Sequence, residues 1–150
     1  CALISALAKV PLKQCFAITG SINQFGEVQA IGGVNVKIEG FFRLCQARGL
    51  TGEQGVIIPR SNVPNLMLHQ TVLDAAREGL FHIYAVDNVD QALSLLAGED
   101  AGEPDEDGNF PAGSINDRVV RRLQAISQRN QHDDRESPGE APGIEPLLKP

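Results

Sequence analysis

The sequence predicts an α/β domain, and three observations carry that expectation. The short apolar runs GVIIP (55–59) and FHIYAV (81–86) are bounded by Gly, Pro and aromatic residues, as buried strands are. Between them NLMLHQTVLDAAREG (65–79) reads as a helix closed by a glycine, so the unit is strand, helix, strand and implies a parallel pair. After the second run, NVDQALSLLAG (88–98) opens on an Asn cap and stops at a Gly, which makes it a second helix packed on the same sheet.

The other elements follow in chain order. CALISALAKVPL at the start reads as a core helix entered part-way along; it is too short to span a membrane and has no basic stretch before it, so a signal peptide is not supported. A start inside a helix, with no initiator Met, marks the chain as a piece of a longer protein. CFAITGSI (15–22) and GEVQAI (26–31) read as strands around NQFG, where Gly26 supplies the turn. Gly32 and Gly33 then let the chain leave the strand through backbone angles that other residues resist, into a helix that runs to Gly49. In that helix Val34, Ile38, Phe41, Phe42 and Cys45 recur at three- and four-residue steps and form a stripe for the sheet.

Past Gly98 the composition changes to GEDAGEPDEDGNFPAG, acidic and rich in turn residues, so the folded unit is placed at 1–98 and a linker or exposed loop at 99–113. SINDRVVRRLQAISQ follows, with Ser114 as N-cap, Asp117 three residues on, and Ile115, Val119, Leu123 and Ile126 at helical spacing. This predicts an amphipathic helix over 114–130 that needs a surface to dock on, with RVVRRLQ folding onto its own domain or offering a contact to another subunit. The last stretch, 131–150, has little periodicity and several prolines and reads as a disordered tail.

Composition bounds the function. A chain of 150 residues with 42% hydrophobic and 21% charged residues is one soluble globular domain with some excess. Its net charge of -6 argues against a nucleic-acid partner, since such surfaces concentrate Lys and Arg. Cys1, Cys15 and Cys45 form no CxxC pair and lie in apolar contexts, as reduced, buried thiols of a cytoplasmic protein do, which supports neither a disulfide framework nor a metal site. His69, His82 and His132 offer these cysteines no recognisable pairing. Neither GxGxxG nor GxxxxGK[ST] occurs, so the paired glycines are not a recognisable phosphate loop.

Lys37 is the residue that packing does not explain. It lies beside the apolar stripe about one turn into its helix, where the positive end of the helix dipole disfavours an ammonium, and burial would disfavour it further. A lysine held neutral accepts a proton, which is what a general base for a serine hydroxyl must do. A lysine in such a place ordinarily snorkels to solvent with its stem packed. Spacing alone leaves both readings standing.

The ordered series FAITGSINQFGEVQAIGGVNVKIEGFFRLCQARGL, then GVIIP, resembles the proteolytic domain of Lon, the ATP-dependent protease with a Ser-Lys dyad. A strand with Thr-Gly, a hairpin with Gly and a following Val, then Ile-Gly-Gly and a Lys four positions after the second Gly recur there in this order. The resemblance runs from Cys1 to about Gly98 and is nearest the bacterial Lon-related branch. It implies that Lys37 is the catalytic lysine, that Thr19 is the threonine near the dyad, and that Gly32 and Gly33 form the turn that delivers the lysine. Thr19 also has a plainer explanation, because β-branched residues favour strands.

The same resemblance puts the nucleophile serine just upstream of Cys1. Within the chain, Ser5 falls on a packing position of the family, and Ser21, two residues after Thr19 and so on the same strand face, has no precedent as nucleophile. The implied activity is ATP-dependent hydrolysis of unfolded proteins, with ATP and Mg in an ATPase region of the longer protein, in a six-membered ring of identical subunits. No nucleic acid, membrane or resident metal is implied. The alternatives are a non-proteolytic scaffold of the same fold, which would dispense with the lysine, and a small-ligand-binding α/β domain.

Overall fold

The computed structural model describes residues 1–136. Its centre is a three-stranded parallel sheet of β1 (Phe16–Ile18), β4 (Gly55–Pro59) and β5 (His82–Val86), in the order β1-β4-β5. A separate antiparallel hairpin pairs β2 (Ser21–Ile22) with β3 (Val28–Gln29). Helices α1 (Ala2–Ala8), α2 (Val34–Arg48), α3 (Gln70–Arg77), α4 (Val89–Ala97) and α5 (Ile115–Glu136) surround the sheet. The class is α/β, as the sequence predicts.

β4 is buried at all five of its residues, which explains why GVIIP is a continuous apolar run and not an alternating one. Its side chains divide between two layers. Val56 and Ile58 meet Val34, Ile38, Phe42 and Cys45 of α2 and Val72 and Ala75 of α3, while Ile57 meets Ala92 and Leu96 of α4 on the other face. The predicted α2 stripe is therefore the sheet-facing one, with Phe41 at its half-buried margin. Phe42 packs edge-on against Phe81 with ring centroids 5.2 Å apart, and both rings are fully buried.

Caps written in the sequence are found. Gly49 ends α2, Gly98 ends α4 in the left-handed conformation, and Asn88 accepts from the backbone N–H of Gln91 at 2.9 Å. At the head of α5, Ser114 Oγ accepts from the Asp117 N–H, and Asp117 accepts from the Gly113 N–H at 2.7 Å. The Gly113 N–H and the neighbouring Arg121 hold the Asp117 carboxyl below its ordinary value of 3.8.

Four expectations change. First, residues 15–22 are not one strand. The chain breaks at Thr19–Gly20, because the Thr19 N–H still donates to Ile57 of β4 at 3.0 Å whereas Ser21 pairs with Gln29 in the hairpin. Ser21 thus does not share a strand face with Thr19. Second, the helix expected from residue 65 starts at Gln70. Before it come a 3-10 turn, Arg60–Asn65, and an extended stretch whose Met67 and His69 N–H groups donate to Asn35 and Glu39 of α2. Third, the acidic stretch 99–113 is partly packed: Ala101 is buried, and the Asp100 and Ala101 carbonyls accept from Ile115 and Asn116. Fourth, α5 runs to Glu136, past the expected boundary at 130; the rest of the expected tail, from Ser137, lies outside the described residues.

The docking surface that α5 needs is supplied by α1 and α4. Ile115 and Val119 are buried with Ala8, Val10, Leu93 and Ala101, and Arg118 pairs with Glu99 at 2.7 Å. Leu123 remains half exposed. Among the described residues no helix is long and apolar enough to cross a membrane.

Two outcomes follow. Phe42→Ala should cost about 3–5 kcal/mol of unfolding free energy, read by urea denaturation, because it removes a fully buried ring from between α2 and the sheet. A lowered carboxylate pKa in the folded state adds stability above the ordinary range and loses it as pH falls through the folded value. The stability gap between the protein and Asp117→Asn should therefore be full near neutral pH and close on acidification, as measured by denaturation at a series of pH values.

Candidate active site

The site forms where the carboxyl ends of the parallel strands meet the start of α2, the edge at which open α/β sheets bind ligands. Thr19 follows β1 directly and is fixed by its N–H bond to the central strand. Lys37 lies on the first turn of α2, where its own N–H donates to the Gly33 carbonyl at 3.2 Å. The two side chains meet: Lys37 Nζ donates to Thr19 Oγ1 at 3.1 Å. A cleft of about 390 Å³ opens beside them, lined by Cys1 and Ala2 at the head of α1, by Thr19 and Gly20, and by Val28 and Val86. Thr19 thus belongs both to the cleft wall and to the lysine contact.

The two glycines do different things. Gly33 has φ of +68° and caps α2, so it supplies the left-handed backbone that starts the helix. Gly32 is not among the positive-φ residues, and a Cβ built on it meets nothing within 4 Å. The expectation that both glycines provide unusual backbone angles is corrected: Gly33 alone does. Lys37 itself is exposed, so the burial anticipated for it is not found.

Other candidate nucleophiles are accounted for locally. Ser5 Oγ donates to the Val10 carbonyl at 2.5 Å and closes the end of α1. Cys45 is in the core, where burial pushes its thiol up from the ordinary value. Cys1 and Cys15 are only half-buried, which corrects the expectation that all three thiols are enclosed. His69 caps α3, and His82 Nε2 lies 2.8 Å from the Gly52 carbonyl. His132 lies where side chains are outside the described residues. Among the described residues, no cluster of His, Cys, Asp and Glu could hold a metal ion.

The sequence has known relatives. Residues 1–98 match the profile of the Lon protease (S16) C-terminal proteolytic domain. The chain belongs to that family. It is 62% identical over 96 residues to the Putative Lon protease homolog of Escherichia coli (strain K12), a match that covers 64% of this chain and 16% of that protein. Against the Putative Lon protease homolog of Haemophilus influenzae it is 49% identical over 124 residues, 83% of this chain and 21% of the relative. The Archaeal Lon protease of Thermococcus kodakarensis is 38% identical over 105 residues, 70% of this chain and 14% of the relative. The chain spans less than a quarter of the length of these Lon relatives.

In this Lon domain three residues that sequence analysis singled out, Thr19, Gly33 and Lys37, come together. Sequence analysis missed the side chains that hold them. Asn62 is buried at 5% exposure and bonds both backbone groups of Ile31, accepting from its N–H and donating to its carbonyl, each at 3.0 Å. Asn35 and Glu39, both half-buried and one turn apart, fasten one flank of α2 to residues 65–69. Nothing in the sequence set Asn62 apart, since it follows two other polar residues, Arg60 and Ser61, after the apolar strand.

The two glycines should separate by experiment. Gly33→Ala should lose roughly 1–2 kcal/mol of stability through its left-handed backbone alone, whereas Gly32→Ala should stay within about 0.5 kcal/mol. Thermal denaturation of both variants checks this; equal losses would contradict the division of roles.

Proposed function

We propose that this Lon domain carries the lysine of a Ser-Lys dyad, with Lys37 as general base for a serine that precedes Cys1 in the longer protein. The observation that carries the reading is the 3.1 Å contact from Lys37 Nζ to Thr19 Oγ1 at the rim of the cleft. A lysine on four flexible bonds is a poor base unless its nitrogen is held in place, and Thr19 holds it. The scaffold reading is disfavoured by the same contact, since a ring-forming domain has no need of a lysine held against a cleft-lining threonine.

The chemistry runs in two halves. Lys37 Nζ takes the proton of the serine hydroxyl as the serine oxygen bonds to the peptide carbonyl carbon, and backbone amides stabilise the oxyanion. The C–N bond then breaks, and the Lys37 ammonium returns the proton to the leaving amine. In the second half a water loses a proton to Lys37 as it adds to the acyl carbon; the C–O bond to the serine then breaks, Lys37 returns that proton to the serine oxygen, and the new carboxylic acid leaves and ionises.

The substrates on this reading are unfolded proteins, and the energy for unfolding them comes from an ATPase region of the longer protein that binds ATP and Mg. Copies assemble as a six-membered ring in the cytoplasm. The free thiols of Cys1, Cys15 and Cys45 suit a reducing compartment, and a net charge of -6 disfavours nucleic acid as a partner.

Lys37→Met in the full-length protein should lower casein hydrolysis by about 10²–10⁴-fold while its melting temperature stays unchanged. Thr19→Val should cost about 3- to 10-fold, the worth of one hydrogen bond. Undiminished proteolysis in a folded Lys37→Met protein would transfer the domain to the scaffold reading.

A further inference from the structure

Gly32 and Gly33 pose a mechanical problem. Neither is packed, since a Cβ on either would meet nothing within 4 Å, and glycine is the residue with the greatest backbone freedom. Yet the Gly33 carbonyl accepts from the Lys37 N–H, so the glycine pair forms the first turn on which the lysine stands, at the end of α2 that its core contacts through Val34 and Ile38 only begin to seat. Something ahead of the glycines has to hold the chain still. β3 ends at Gln29, so sheet pairing does not reach Ile31.

We infer that Asn62 is a positioning residue for the reaction: its side-chain amide clamps the Ile31 backbone and thereby sets where Lys37 stands relative to Thr19. The amide presents one acceptor and one donor to the N–H and C=O of a single residue, the pairing that a neighbouring strand would otherwise provide. Asn62 is itself rigid. It belongs to the turn that leaves β4, the most buried strand, and it is one of two buried polar residues among the described residues. Both of its bonds are made in a site with little water, where leaving either partner unpaired is costly. The same turn and the stretch after it also take hydrogen bonds from and to Asn35 and Glu39, so the segment after β4 braces α2 along one face over its first two turns. Thr19 is fixed to β4 by its N–H, and Ile31 is fixed to the turn after β4 by Asn62. One strand thereby references both halves of the contact.

This inference rests on Lys37 being the general base, and the test separates the two. In the full-length protein, Asn62→Ala should lower kcat for a fluorogenic peptide about tenfold with KM within twofold, a loss made only after substrate is bound. Combined with Thr19→Val it should lose little more than the worse single variant, because both act through one contact. Asn62→Asp keeps the shape and the acceptor but not the donor, and should fall between the protein and Asn62→Ala. A folded Asn62→Ala with unchanged kcat, or losses that multiply with Thr19→Val, would overturn the clamp while a dead Lys37→Met leaves the base assignment intact. Turnover surviving in Lys37→Met would overturn the base assignment, and the clamp with it. Collapse of both Asn62 variants would make Asn62 a residue of fold stability and would also overturn the inference.

Discussion

The structure depends on β4 being buried on both faces. A strand with apolar side chains on each side can sit only between two layers, so α2 and α3 must cover one face and α4 the other. Parallel pairing with β1 and β5 then aligns all three strands, and their carboxyl ends open on one edge. Thr19 and the cleft lie at that edge because it is where β1 stops and where the hairpin and α4 begin. The position of the site is thus a result of core packing, before any catalytic residue is considered.

The hairpin is kept in place by the turn beyond β5. The Val28 N–H donates to the Asp87 carbonyl at 2.8 Å, and the Val89 N–H donates to the Gly26 carbonyl at 2.9 Å. Arg60 in turn holds Asp87 with a forked contact and reaches the Ala85 carbonyl. Elements that look separate in sequence, the hairpin, the turn after β4 and the head of α4, are therefore one hydrogen-bonded network, whose hairpin and α4 members line the cleft. Charge plays a small part in this network, since the Arg60–Asp87 pair is more than half exposed, and its value is chiefly geometric.

How much of this was legible in the sequence follows from how local the cause is. Asn88, Gly98, Gly49 and Ser114 announce helix ends because a cap is an interaction of a residue with its own neighbours. The break at Thr19–Gly20 and the late start of α3 were not legible, because the Ile57 carbonyl and the Asn35 and Glu39 side chains that impose them come from elsewhere in the chain. Lys37 stood out only through the ordered series of residues around it; its spacing suited a surface lysine equally well. Asn62 was silent, since a single amide in a turn has no periodicity and no charge pattern, and only its two partners on Ile31 reveal it.

The connections of the parallel sheet have a consequence for the order in which the domain folds. β4 and β5 are joined through α3, whereas β1 must wait for the hairpin and all of α2 before it can pair with β4. Closing the longer loop costs more chain entropy, though by less than about 0.6 kcal/mol, so loop closure alone leans toward pairing β4 with β5 before β1 docks. Thr19 rides on the late strand and Lys37 on the helix inside the late loop. The lysine and its threonine therefore meet only once β1 has docked on β4, so their contact reports on closure of the longer loop.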